Sequence, residues 1–385
     1  MKLVLKSLRL LIVAAAVAML YPGATFAQHY TQVNLVSDMP GAAAVQDPSL
    51  VNPWGLSRSS GSPWWVSNNG TGTSTLYTGA GAIIPINGNG IVTIPPPKNA
   101  PAGTISTPTG TVFNGSSDFV LPNGKPAAFL FATEDGTISG WNGGTAAVLV
   151  VDNNKNGSPN GAVYKGMTTA EINGKRFLYV TNFRAGRVEV YDASFRRVPL
   201  LPEAFDSGRD GDNDGDDGGS GQRIPNGYAP FNIQNIGGSL FVTYAKQDAE
   251  RHDDVAGDGN GFVEIFTAAG RHVGHLEHGP WLNSPWGVVW TPRDFGLFSN
   301  TILVGNFGSG WVAAFNGFTY KFIGFMKATD NSILTIDGLW SLTFGNGASA
   351  GPSTTLFFSA GPDHESHGLF GTLTAVGTEQ DGATE

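Results

Sequence analysis

The sequence predicts an all-β chain folded as a six-bladed β-propeller, and three observations carry that expectation. One unit recurs six times between Val51 and Val376: an aromatic-Gly-aliphatic opening, a strand, a Gly/Asn turn and a second strand. Asn52-Pro53-Trp54-Gly55-Leu56 opens the first copy, Asn283-Ser284-Pro285-Trp286-Gly287-Val288 the fifth, and Asp337-Gly338-Leu339-Trp340 the sixth. The spacing is the second observation, since a period of roughly 40 to 50 residues built of strands is the mark of one propeller blade per repeat. The third is composition: 54 glycines and 23 prolines punctuate the strands at even intervals among nine Trp and 24 Phe, which marks turns rather than low complexity. A closed ring also lets 385 residues form a single unit, because each blade buries its faces against its neighbours.

Blade one is expected over Gly55–Ser57, Pro63–Ser67, Thr75–Thr78 and Ala82–Ile86, with Asn68-Asn69-Gly70 as a turn. Blade two follows at Gly110–Phe113, Ala127–Thr133, Thr137–Trp141 and Ala146–Val151, and blade three at Lys165–Glu171, Phe177–Thr181, Arg187–Tyr191 and Val198–Leu201. The turns of blade three hold Asn173-Gly174 and Ala185-Gly186, residues that accept positive φ. Blade four runs Phe231–Ile236, Ser239–Tyr244, Gly261–Phe266 and His272–Leu276, with a long excursion from Ala245 to Asn260. Blade five runs Trp286–Thr291, Thr301–Gly305, Gly310–Phe315 and Lys321–Met326. Blade six supplies only Leu339–Phe344, Thr355–Ser359 and Gly368–Val376, so its missing strand is assigned to Tyr30–Ser37. That pairing closes the ring and removes its free edges. The Asp/Gly-rich stretch 206–222 is an inserted loop, and residues 379–385 are a polar tail outside the propeller, which spans 28–378.

Residues 1–27 read as a signal peptide: Lys2, Lys6 and Arg9, an apolar run from Leu10 to Leu20, and Thr25-Phe26-Ala27 at the cleavage point. The run is too short to span a bilayer, which wants about 20 residues. The mature chain is therefore expected to be exported, either periplasmic or secreted, with no membrane span. Net charge is −9, and three of the basic residues fall in the signal, so the mature protein is more acidic still. Nucleic acid is a poor partner for it, because phosphate binding needs a basic patch. There are no cysteines, which excludes disulfides, thiolate zinc sites, thiol nucleophiles and a lipoprotein anchor.

Lys165-Gly166-Met167 before a strand, and Val188-Glu189-Val190-Tyr191-Asp192 after the turn, resemble an NHL-type repeat. The whole chain resembles an uncharacterised family of exported bacterial six-bladed propellers, through the segments 52–56, 67–77, 228–236, 244–266, 282–288, 305–310 and 337–342. Some relatives end in a hydrophobic sorting tail; this chain ends without one, which favours a released protein. The resemblance implies fold and export, with no established activity. A more distant likeness is to the gluconolactonase and senescence-marker propellers, calcium-dependent lactone or ester hydrolases. Their metal ligands sit where innermost strands begin, and Asp337-Gly338-Leu339 is similar to one such signature, with Asn52 and Asn283 at equivalent starts. The acidic ligand of that family's first blade is replaced by Asn52 here.

Propeller geometry itself brings the starts of innermost strands to one mouth of a central channel. Asn52, Asn232, Asn283 and Asp337 would turn oxygens toward the axis, suiting calcium, which takes six to eight hard oxygen ligands. The competing reading is that they cap turns beside Pro and Gly. Asp210, Asp212, Asp214 and Asp216 form the D-x-D-x-D-G start of a calcium loop, but Gly221 stands where the closing Glu belongs. An acidic loop without an ion is the alternative there. The excursion from Lys246 to Asp254 is dense in ionisable groups and reads as a metal site or an acid/base pair, with Asp248 and Asp253 as candidates, against a solvated insertion paired locally with Lys246 and Arg251. Asp363-His364-Glu365-Ser366-His367 offers its two histidines as transition-metal ligands or His364 as a base, against a solvated polar turn. Trp54, Trp286 and Trp340 recur at matched positions and read as inter-blade packing.

The leading functional expectation is an exported scaffold with structural calcium, engaging an extracellular or periplasmic ligand or protein at the channel mouth. The alternative is a metal-dependent lactonase or esterase at the same mouth, with a cation polarising a carbonyl.

Overall fold

A computed structural model describes residues 28–86, 88, 90–201, 203–206 and 224–377. The expected signal, the tail and Asp210, Asp212, Asp214 and Asp216 of the insert lie outside the described residues.

Six sheets follow one another in chain order, one per repeat. Blade one holds Pro53–Ser57, Trp64–Asn68, Thr73–Tyr77 and Ile91–Thr93; blade two Pro108–Phe113, Phe129–Thr133, Thr137–Trp141 and Val148–Asp152. Blade three has Tyr164–Ile172, Lys175–Asn182 and Arg187–Tyr191. Blade four holds Tyr228–Ile236, Ser239–Lys246, Gly261–Thr267 and His272–His275; blade five Pro285–Trp290, Thr301–Asn306, Val312–Asn316 and Phe322–Phe325. Blade six is built from Leu339–Phe344, Leu356–Ala360 and Leu369–Ala375. Each innermost strand packs on the next, and that of blade six returns to that of blade one. The ring is a six-bladed propeller.

Closure occurs where the sequence placed it. Tyr30–Ser37 pairs antiparallel with Leu369–Ala375, from Tyr30↔Ala375 to Ser37↔Leu369, and the short strand Val45–Gln46 lies parallel at its outer side. Tyr30 anchors the join: its ring stacks on Phe298 with centroids 5.8 Å apart, and its hydroxyl donates to the Phe295 carbonyl at 3.0 Å. The blades hold together through apolar wedges such as Leu303, Val312 and Ala314 of blade five against Leu339, Leu342 and Phe358 of blade six. Each fully buried side chain of this kind contributes about 1.5–3 kcal/mol.

Two strand expectations are corrected. In blade one the outermost strand is Ile91–Thr93, paired with Thr73–Thr75, and not Ala82–Ile86, where only Ile83 bridges Tyr77. Pro85 interrupts that run, and proline cannot donate to a ladder. In blade three Val198–Leu201 forms no strand; Arg197 bridges Tyr191 and the Val198 amide reaches the Val190 carbonyl at 2.8 Å before Pro199 ends the pairing.

All six innermost strands carry a register slip near their starts: between Pro53 and Leu56, Pro108 and Thr111, Tyr164 and Met167, Pro230 and Asn232, Pro285 and Val288, and Leu339 and Leu342. A bulge adds one unpaired residue and re-aims its side chain. The re-aimed position holds Trp54, Thr109, Lys165, Phe231, Trp286 and Trp340 in blades one to six. Rings from opposite sides meet: Trp54 lies 6.3 Å from Phe231, 6.1 Å from Trp286 and 3.5 Å from Trp340, centroid to centroid. The channel is therefore plugged with aromatics. The next residue is glycine in blades one, two, three and five because the neighbouring strand leaves no room. A Cβ on Gly55 would lie 2.6 Å from the Thr109 carbonyl oxygen, and one on Gly287 2.7 Å from that of Trp340. In blades four and six the side chains bond across instead: Asn232 Nδ2 donates to the Trp286 carbonyl at 2.7 Å, and the Leu56 amide donates to Ser341 Oγ at 3.2 Å.

Candidate functional site at the hub mouth

Antiparallel strands alternate in direction, so the turn between second and third strands lies on the same face as the start of the innermost strand. Those turns carry Asn69 in blade one, Glu134 in blade two, His252 and Asp253 in blade four, and Glu365 in blade six. A continuous polar chain joins them above the aromatic plug. Glu365 Oε2 accepts from Asn52 Nδ2 at 2.6 Å, and Asn52 Oδ1 accepts from the Trp340 indole at 3.0 Å. Asn69 Nδ2 donates to Glu134 Oε2 at 2.7 Å. Lys165 Nζ donates to Glu134 and, at 3.1 Å, to Asp253 Oδ1, which pairs in turn with His252 Nδ1 at 2.9 Å.

Lys165 is the centre of the arrangement. Its side chain is 1 % exposed, and its ammonium lies 4.9 Å from the Trp54 ring centroid, 5.7 Å from Phe183 and 5.9 Å from Phe231. Burial works against the charge, yet Glu134 and Asp253 outweigh it and hold the pKa above the ordinary lysine value. Aromatic faces add cation–π attraction, worth about 2 kcal/mol when desolvated. The cation among these carboxylates is an ammonium supplied by the chain itself.

The groups around it are driven apart in pKa. Burial pushes the Glu365 carboxyl up to about 7, the Asn52 hydrogen bond opposing and the charges of Glu134 and Asp253 adding to the rise. Partial burial acts the same way on Asp253, but the His252 hydrogen bond and Lys165 prevail and hold it well below the usual range. The hydrogen bond with Asp253 raises His252, against its own burial. Burial also raises Asp254.

Backbone strain positions Glu365. Asp363, His364 and Glu365 have φ of 54°, 53° and 65°, a left-handed turn closed by the Glu365 amide on the Gly361 carbonyl at 3.1 Å. Non-glycine residues in this region cost on the order of 1–3 kcal/mol each and persist where surrounding contacts impose them. Asp337 is one such contact, its Oδ2 accepting the Asp363 amide at 2.8 Å.

The structure distributes the sequence candidates unevenly. Asp253 belongs to the network. Asp248 shapes the same loop, its Oδ1 accepting the His252 amide at 2.8 Å. His364 is exposed on the left-handed turn, and the inward-reaching group is its neighbour Glu365. Asn52, Asn283 and Asp337 do not share a repeat position. Asn52 is in register with Ser284, each preceding proline with φ of 46° and 48°, and with Gly338 at 64°; Asn283 and Asp337 stand one residue earlier. Their oxygens serve separate donors: Trp340 for Asn52, the Gly257 amide at 2.8 Å for Asn283, and Asp363 for Asp337. Asn232 is engaged within the hub wall. Lys165, Glu134, Asn69, His252 and Glu365 were not singled out by sequence reasoning. Setting Lys165-Gly166 beneath Trp54-Gly55 and Trp286-Gly287 is the signal that finds the first of them. Among the described residues, Glu134, His252 and Asp253 can also bring one ligand atom each within 4.8 Å of one another.

No family model matches the chain. It is 30% identical over 352 residues to the uncharacterized protein R648 of Acanthamoeba polyphaga mimivirus, covering 88% of this chain and 78% of that protein. The uncharacterized protein L690 of the same virus matches at 30% over 352 residues, covering 88% and 84%. Among solved structures, virginiamycin B lyase from Staphylococcus aureus is similar at 12% identity and a TM-score of 0.45, over 91% of this chain and 100% of that one. A gluconolactonase from Xanthomonas campestris is similar at 13% identity and a TM-score of 0.31, over 64% and 82%.

Proposed function

This chain belongs to the family of the mimivirus proteins R648 and L690, and we propose that its hub mouth is an acid–base site that hydrolyses a small lactone or ester. The observation that carries the reading is Glu365, a carboxyl with a pKa of about 7 held on a strained left-handed turn within one hydrogen-bonded chain with an ionised aspartate. Pairs of groups driven apart in pKa are the general mark of acid–base chemistry near neutrality. In the proposed step, a water molecule gives its proton to the Glu365 carboxylate as its oxygen bonds to the acyl carbon. The ring or ester C–O bond then breaks, and the departing oxygen takes the proton of the His252 imidazolium. Asp253 keeps His252 protonated; Lys165, being buried, acts through Glu134 and Asp253 rather than on substrate.

A second reading, a scaffold that binds an extracellular or periplasmic ligand or protein, is favoured by the closed network: Asn52, Asn69, Glu134 and Lys165 already hold protein partners. Export rests on the pattern of residues 1–27, and calcium is kept for the Asp210–Asp217 loop on its D-x-D-x-D-G pattern. Turnover of lactones and aryl esters, with and without chelator, separates the readings. Hydrolysis should rise as pH passes about 7, where Glu365 ionises, and fall once His252 loses its proton. Glu365→Gln should lower kcat by about 10²-fold or more without unfolding the protein. Full turnover in that variant, or no turnover by the wild type across the panel, would hand the site to the scaffold reading.

A further inference from the structure

We infer that the outer edge of blade four is a binding site for a divalent transition metal of the zinc class, held by Glu264, His272 and His275. It is separate from the hub and rests on none of the chemistry above. Glu264 lies on Gly261–Thr267, and both histidines on the outermost strand His272–His275. Side chains three apart on a regular strand point to opposite faces. Here the register slips: His275 faces Glu264 and Gly274 faces Ile265, but His272 pairs with Phe266, leaving Val273 as the extra residue. That bulge turns His272 and His275 to the face of Glu264. Their rings stack 10° from parallel with centroids 6.3 Å apart. One donor atom from each of the three residues lies within 4.8 Å of the others.

The carboxylate is the second observation. Glu264 is 4 % exposed, and His272 Nε2 contacts its Oε2 at 2.6 Å while 36 % of the histidine remains open to solvent. A buried carboxylate needs a hydrogen-bonding or cationic partner; the His272 ring supplies one here, and a metal ion shared by all three side chains would supply a stronger one. Zinc bonds of about 2.0–2.1 Å in a tetrahedron place ligand atoms about 3.4 Å apart, so small side-chain rotations suffice. Two imidazoles with one carboxylate suit zinc, copper or nickel rather than calcium, and the exposed side leaves a fourth position for water.

The test is calorimetric titration of untagged protein with Zn²⁺, and with Co²⁺ as a spectroscopic probe. One equivalent of zinc should bind, cobalt should give the visible absorption of a tetrahedral site, and His272→Ala/His275→Ala should weaken binding at least tenfold. His252→Ala, which disables the hub group instead, should leave this equivalent intact. No zinc binding by the wild type, undiminished binding by the double variant, or loss of the equivalent in His252→Ala would overturn the assignment. Circular dichroism of the double variant without metal should match the wild type, and Glu264→Gln provides a second, milder variant should it not.

Discussion

Lys165 in blade three and Trp54, Trp286 and Trp340 in blades one, five and six occupy the same bulged position of the repeat, yet they do opposite things. The tryptophans fill the axis, Trp54 stacked on Trp340 and Trp286 meeting both edge-on. The lysine brings a charge into that plug and gathers carboxylates from two other blades. A repeated backbone thus fixes where a side chain points, while the residue placed there decides whether the position is core or chemistry. One charged residue among six equivalent positions turns a packed hub into the floor of a polar mouth.

The comparison breaks most sharply at Lys165 itself. Lys165→Ala leaves the largely buried Glu134 without its cation, and removing one partner of a buried pair costs about 3–5 kcal/mol. Urea unfolding should show that loss, and adding Glu134→Gln should recover much of it. If Lys165 were a solvated surface charge, neither change would register. Gly166→Ala is the next largest, because its Cβ strikes the Asn232 side chain and backbone, an overpacking expected to cost about 1–3 kcal/mol. Gly61→Ala, where nothing lies within 4 Å, should leave stability unchanged and serves as the control. Asp337→Ala should be smallest, removing one hydrogen bond from the left-handed turn for about 1 kcal/mol, the same with and without calcium. A calcium-dependent difference would mark Asp337 as an ion ligand.

Much of the fold was legible in the sequence. Trp54-Gly55 and Trp286-Gly287 repeat because in those blades the neighbouring innermost strand leaves the residue after the hub ring no room for a side chain, and that pattern is local enough to read. Tyr30–Ser37 was legible as the closing strand because blade six ran short of strands. Ile91–Thr93 was not, since Ala82–Ile86 has the stronger apolar pattern and only Pro85 argues against it. The candidate site was the least legible. Asp253 was named within a dense loop, but Glu365 was passed over for His364, since nothing in five polar residues foretells which one a left-handed turn sends inward.

By itself the sequence determined the repeat, the number of blades and the closing strand, because period, turn residues and aromatic spacing are set by near neighbours in the chain. Only the tertiary structure decided which groups meet. Asn52 and Glu365 are separated by 313 residues, and Lys165 and Asp253 by 88, distances over which no local pattern reports contact. Ring closure alone makes them neighbours, and burial above an aromatic floor gives them their altered acidities.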